Sequence, residues 1–171
     1  MPKADQGVQK NRYSLIPRTL IFIINGDHIL LIKGSPTKRL WANRYNGVGG
    51  HIERDEDVLT SARRELFEET GLKAASLRLA GTVTVDTGDE TGIGIYVLKG
   101  RYEGGQIAAS HEGIPEWIPI HRLDQYPLVE DISILIEKIL SQTREDPPFS
   151  THYSYDSEDR LVISFADPGT S

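Results

Sequence analysis

The chain has 171 residues, 38 % of them hydrophobic and 26 % charged, values that suit one soluble globular domain with a core of its own. Nineteen basic against twenty-five acidic side chains leave a formal charge of -6, which argues against long nucleic acid as a partner. Cysteine is absent, so disulfide and thiol chemistry are excluded, and no apolar run approaches the roughly 20 residues of a membrane-spanning helix.

The opening "MPKADQGVQKNRYS" is polar and has no apolar core of the kind a signal peptide carries, so a cytoplasmic protein is expected. Residues 1–12 and 167–171 read as flexible ends around a single domain at 13–166. "RTLIFIIN" from Arg18 and "HILLIK" from His28 are β-branched apolar runs on either side of "NGD", which predicts a buried hairpin. "GSPTKRLWANRYN", residues 34–46, is a loop with three cationic side chains and two aromatics. A helix is predicted from about Glu56 to Thr70, with Asp55 as N-cap, Glu56 and Asp57 at its positive end and Gly71 as its stop.

Two further strands are expected at "LRLAGTVTVD" and "IGIYVLKG", then a glycine-rich stretch "YEGGQIAASHEGI" and a short strand at "PEWIPI". In "DISILIEKIL", Ile132, Leu135, Ile136 and Ile139 recur at helical spacing behind Asp131, so a second amphipathic helix is predicted. "STHYSYD" and "RLVISF" around "SED" predict a terminal hairpin. Strands, helix, strands, helix and hairpin make an α+β domain with a mixed sheet.

The chemistry concentrates in "NGVGGHIERDEDVLTSARRELFEETGL", residues 46–72. At roughly 100° per residue, Glu65 and Glu69 point close to Val58 and Ala62, at the border of the apolar stripe rather than opposite it. Glu68 and Glu69 follow Glu65 at i+3 and i+4, so the three project from one face. Carboxylates so crowded repel one another unless they are protonated or bound to cations. A hard, oxygen-ligated divalent ion fits, and Mg²⁺ typically takes few protein carboxylates together with substrate phosphate. Gly49 and Gly50, just ahead of the helix, let backbone approach a ligand closely.

Gly50, Glu56, Arg64, Glu65, Leu66, Glu68, Glu69, Gly71 and Leu72 fill the defined positions of the Nudix box, so this segment resembles that of the Nudix hydrolases. The resemblance implies an α/β/α sandwich around a mixed sheet and Mg²⁺- or Mn²⁺-dependent hydrolysis of a nucleoside diphosphate linked to a further group. It implies Glu65, Glu68 and Glu69 as metal ligands with the carbonyl of Gly49, and Arg64 as the residue that orients the glutamates. Glu56 would hold the loop against the helix.

Within that family, "HEGIPEW" resembles the segment of MutT-like 8-oxo-dGTP diphosphatases whose glutamate enters the metal site from a loop, which makes Glu112 an extra ligand or the general base. "YNGVGG" resembles the entry to the box in the oxidised purine triphosphatases, where the asparagine, here Asn46, touches the base. In "YPLVEDI" the resemblance implies base recognition by Glu130 and Asp131, whereas helix capping by Asp131 is the alternative. Lys33, with Lys38 and Arg39 as alternates, stands where the family keeps a cation for phosphate, and Thr19 where a hydroxyl meets the nucleoside. The second aromatic that brackets the base in the animal enzymes has no counterpart near Val129, which leaves base specificity open. The five histidines lack ligand spacing, so zinc is not indicated.

The expected function is cleavage of a small nucleoside triphosphate, including oxidised purine forms, to monophosphate and pyrophosphate. Hydrolysis of ADP-ribose or another dinucleotide-type diphosphate is the alternative; members that take ADP-ribose commonly carry a proline soon after the box, and here none occurs between Leu72 and Pro115. A non-catalytic nucleotide-sensing domain is the third reading, against which all the box glutamates are retained.

Overall fold

The structure is a computed structural model that describes residues 2–7, 11–37, 40–73 and 76–166. Eight strands and two α-helices are described after a short 3₁₀ turn at Lys3–Gln6, with a second 3₁₀ segment at Ile120–Gln125: β1 (Ser14–Asn25), β2 (His28–Gly34), β3 (Tyr45–Asn46), α1 (Val58–Thr70), β4 (Arg78–Val85), β5 (Thr91–Arg101), β6 (Gly113–Pro119), α2 (Ile132–Ser141), β7 (Phe149–Tyr155) and β8 (Leu161–Phe165). The strands form one sheet in the order β3-β2-β1-β5-β4-β7-β8, with β6 paired to β2. β1 runs parallel to β5 and β4 parallel to β7, while β4–β5, β2–β6 and β7–β8 are antiparallel, so the sheet is mixed as expected.

Period-two alternation in β1 and β2 feeds two separate cores. Leu20, Phe22, Ile29 and Leu31 pack on one face with Ile132, Leu135, Ile136 and Ile139 of α2. Ile21, Ile23, Leu30 and Ile32 pack on the other with Ala62 and Leu66 of α1. The helices therefore cover opposite faces, which gives the α/β/α sandwich. Each fully buried aliphatic side chain stabilises it by about 1.5–3 kcal/mol. No described helix is long and apolar enough to cross a membrane.

Two details of the helices differ from the sequence expectation. α1 starts at Val58, and its cap is Asp57, whose carboxylate accepts from the Leu59 and Thr60 amides at 2.8 and 3.0 Å. Asp55 does not cap it; the intervening residues instead form a turn in which the Glu56 carboxylate accepts from the Glu53 amide at 3.1 Å. Gly71 ends the helix as predicted, left-handed at φ 75° with its amide bonded to the Phe67 carbonyl. At α2, Asp131 occupies the cap position but has helical backbone angles, and its side chain makes no capping hydrogen bond.

The glycine-rich entry to α1 is itself part of the sheet. Tyr45 and Asn46 pair with Lys33 and Ile32 of β2 on one side. On the other, the Thr19 amide donates to the Gly50 carbonyl and the Ile21 amide to the Val48 carbonyl, at 2.8 and 2.7 Å. Residues 45–51 thus run between β2 and β1 and fix the start of α1 to the sheet. A Cβ on Gly49 would collide with the Thr19 carbonyl, so only glycine permits this approach.

Candidate active site

A cavity of about 590 Å³ opens beside this segment. Its polar lining comes from Gly49, Gly50, Glu65, Glu68, Glu69 and Glu112, and its apolar lining from residues such as Leu20, Val85, Ile93, Ile95 and Leu161. Thr19, Asn46, Glu130 and Asp131 line it as well. The residues expected at the site are thereby brought together from β1, β3, α1, the loop before β6 and the turn before α2. Lys33 is not part of that lining. Its ammonium lies 5.9 Å from the ring centroid of buried Tyr45, with which it is paired across β2 and β3. Lys38 and Arg39 lie outside the described residues.

Arg64 organises the carboxylates. Its guanidinium donates twice to Glu56, at 2.6 and 2.9 Å, and once each to Glu65 and Glu68, at 2.9 and 3.1 Å. A fifth bond goes to the His51 carbonyl at 3.1 Å, which ties the hub to the glycine segment. The Arg64 contacts hold the Glu56 carboxyl at about 2, well below its ordinary 4.5. The same contacts push the Arg64 pKa up, with Glu56 the largest cause. One guanidinium thus meets three carboxylates, which leaves the cluster with net negative charge.

The three α1 glutamates are unequal. Glu69 is 7 % exposed and accepts from the Gly49 amide at 3.1 Å. The Glu65 side chain is 13 % exposed and that of Glu68 54 %. Gly50 faces the Glu65 carboxylate so closely that a Cβ there would overlap it. Among the described residues no three acidic or imidazole groups already converge as a ligand set, because Glu65 and Glu68 are turned towards Arg64. The donor chemistry nevertheless fits a hard divalent ion: several carboxylates and a backbone carbonyl, with no sulfur or nitrogen required. The missing side chain at Gly50 lets the Glu65 carboxylate lie against the backbone of the glycine segment, next to the cavity.

Glu112 reaches the cavity from the loop that follows Gly104 and Gly105, and its carboxylate lies 3.1 Å from the His111 imidazole. Asn46 uses its side-chain oxygen to accept from the Gly47 amide at 2.8 Å. The Thr19 hydroxyl and the Nε of Arg18 are buried without a hydrogen-bond partner among the described residues, and both residues line the cavity. Burial raises the Asp131 pKa, and the charge of Glu130 adds to that, against the Tyr153 hydroxyl.

Arg18, Trp41, Tyr153 and Tyr155 are lining residues that the sequence reading did not single out. Trp41 could have been suspected as one of the two aromatics in the 34–46 loop. It is 48 % exposed, with a left-handed backbone at φ 58° that is unusual for so bulky a residue. Arg18 supplies a cation inside the cavity, where Lys33 had been expected to do so.

Fold and site together define a Nudix hydrolase, and the comparison with protein families agrees: residues 15–139 match the NUDIX domain, and the chain belongs to that family. Nudix hydrolases act on small nucleotide substrates and generally use divalent metal ions. Among curated proteins, the chain is 26 % identical to the oxidized purine nucleoside triphosphate hydrolase of Mus musculus, over 84 % of this chain and 89 % of that protein. The protein of the same description from Danio rerio is 26 % identical over the same shares. Among solved structures, a MutT protein from Bacillus halodurans superposes with a TM-score of 0.75 at 21 % identity, covering 91 % of this chain and all of that one.

Proposed function

We propose that this Nudix hydrolase cleaves purine nucleoside triphosphates, oxidised forms such as 8-oxo-dGTP included, to a monophosphate and pyrophosphate. The observation that carries the reading is the union, in one cavity, of the α1 carboxylates with an apolar compartment edged by Asn46, Glu130 and Asp131. A polyphosphate requires the first and a base the second. The description of the murine and zebrafish relatives supports the same substrate class.

Glu65, Glu68, Glu69 and the Gly49 carbonyl would hold Mg²⁺ or Mn²⁺, with Glu112 as a further ligand or as the general base. Such an ion, when bound, neutralises phosphate oxygens and lowers the pKa of water. Arg64 holds Glu65 and Glu68 in place through its hydrogen bonds, so it positions the acidic groups rather than meeting the substrate. Glu112, as base, would take the proton of the attacking water, whose oxygen forms a bond to one phosphorus as the anhydride bond breaks and pyrophosphate departs. Arg18, with its guanidinium donors in the cavity lining, suits the phosphates. Thr19, with its unpaired hydroxyl, suits the nucleoside, and Asn46, Glu130 and Asp131 suit the base. Trp41, half exposed in the lining, offers a stacking face.

The test is turnover per Michaelis constant for dGTP, 8-oxo-dGTP, dATP, dCTP and ADP-ribose with Mg²⁺. Purine triphosphates should lead, with the 8-oxo form accepted at least as well as dGTP. Preference for ADP-ribose would replace this reading with the dinucleotide one.

A further inference from the structure

Glu112 enters the cavity from a loop whose glycines, Gly104 and Gly105, both have positive φ, at 107° and 109°. Glycine leaves the backbone of such a loop little restrained, yet the loop is pinned at intervals. The Tyr102 hydroxyl donates to the Gly105 carbonyl at 2.6 Å, and the Ala108 amide donates to the Thr70 carbonyl at the end of α1, at 2.9 Å. Beyond Glu112, Gly113 pairs with Gly34 at the end of the β2–β6 ladder, where a Cβ would collide with the Lys33 carbonyl. Ser110, the one serine or threonine in residues 102–112, lies between these anchors.

Ser110 brackets the glutamate. Its Oγ accepts from the Glu112 amide at 3.2 Å, and its own amide donates to the Gly113 carbonyl at 3.1 Å. The Glu112 carbonyl in turn accepts from the Ser35 amide at 3.3 Å. Both main-chain polar groups of Glu112 are therefore held, which fixes the direction in which its side chain leaves the loop. The contact of its carboxylate with His111, at 3.1 Å, does not fix that direction, because the imidazole is 87 % exposed and exposed pairs of this kind contribute little.

We propose that Ser110 is a positioning residue: through the Glu112 amide it aims the Glu112 carboxylate into the cavity, towards the α1 glutamates. The proposal rests on the functional reading above, in which Glu112 is a further ligand or the base for the attacking water. Either role needs the carboxylate within reach of its partner, and a displacement of about 1 Å can cost on the order of 10²-fold in rate. Alanine at 110 keeps the amide that meets Gly113 and removes only the acceptor for Glu112. Ala108 and Ala109 precede it, so alanine suits this stretch and the fold should persist. Threonine supplies the same acceptor.

The experiment measures kcat and KM for dGTP in saturating Mg²⁺ with wild type, Ser110→Ala, Ser110→Thr, Glu112→Gln and the double variant Ser110→Ala with Glu112→Gln. Ser110→Ala should lower kcat on the order of tenfold with KM within about twofold, and Ser110→Thr should recover most of the loss. In the Glu112→Gln background the same alanine should cost nothing further. Amide hydrogen exchange gives an independent readout: in Ser110→Ala the Glu112 amide should exchange faster, while the Ala108 amide keeps its protection. A hydroxyl that merely stabilises the loop would lower the melting temperature and leave kcat unchanged, which would overturn the proposal. A loss repeated in full without the Glu112 carboxylate would overturn it as well. Full activity of Glu112→Gln would remove Glu112 from the mechanism and Ser110 with it. A wild type that cleaves ADP-ribose and no purine triphosphate refutes the substrate reading instead, and the same five proteins compared on ADP-ribose then decide the role of Ser110.

Discussion

Arg64 shows how one side chain makes an acidic site tenable. It meets Glu56, Glu65, Glu68 and the His51 carbonyl at once, so part of the repulsion between Glu65 and Glu68 is offset inside the protein. The Glu56 pKa is depressed from 4.5 to about 2, and a depressed acid contributes stability that is present above the unfolded value and lost as pH falls through the folded one. Acid unfolding should therefore steepen between those two values, and Glu56→Gln should flatten that part of the stability curve, as followed by circular dichroism. The Nudix signature made Arg64 and its glutamates legible, because their spacing along one helix fixes their neighbourhood. Arg18, Tyr153 and Tyr155 were not legible, because their place in the cavity depends on pairing between strands distant in the chain. Lys33 illustrates the same limit: its position in β2 was readable, but which face its side chain takes depends on the pairing with Tyr45.

At the scale of elements, periodicity located β1, β2, β4, β5, β6, both helices and the terminal hairpin, since each carries its own burial pattern. Helix ends were harder. Asp55 and Asp57 are both plausible caps in the sequence, and the choice falls to Asp57 because Glu56 is held by Arg64, which brings the chain into helical geometry only at Val58. Asp57 also accepts from the Thr60 hydroxyl at 2.7 Å. Asp57→Ala should thus lower the melting temperature by a few degrees and fray the first turn of α1. The equivalent change at Asp131 should leave the start of α2 intact, because that side chain caps nothing. A drop in helicity on Asp131→Ala comparable to that of Asp57→Ala would contradict this distinction. β3 escaped the sequence reading because a two-residue strand carries no periodicity, yet with residues 47–51 it sets the glycine segment between β1 and β2.

The whole molecule joins two chemistries that neither face supplies alone. α1 on one face contributes the carboxylates, while Val85, Val129 and Tyr153, from the layer under α2 on the other, line the same cavity. The sheet opens between β2 and β1, where residues 45–51 pass, and the two sets meet there. We propose the α1 glutamates as the hydrolytic machinery of a triphosphate pyrophosphohydrolase, and Glu69 tests this best. It is the most buried of the three, and a glutamine there keeps an oxygen to accept from the Gly49 amide, so the fold should survive while the negative charge is lost. The decisive measurement is pyrophosphate and monophosphate release from dGTP, in Mg²⁺, by wild type and by a Glu69→Gln variant of unchanged circular dichroism. The wild type should release both products, and the variant should be slower by roughly 10²-fold or more, the scale set by loss of a positioned catalytic group. A folded Glu69→Gln protein that turns over at the wild-type rate would contradict the account.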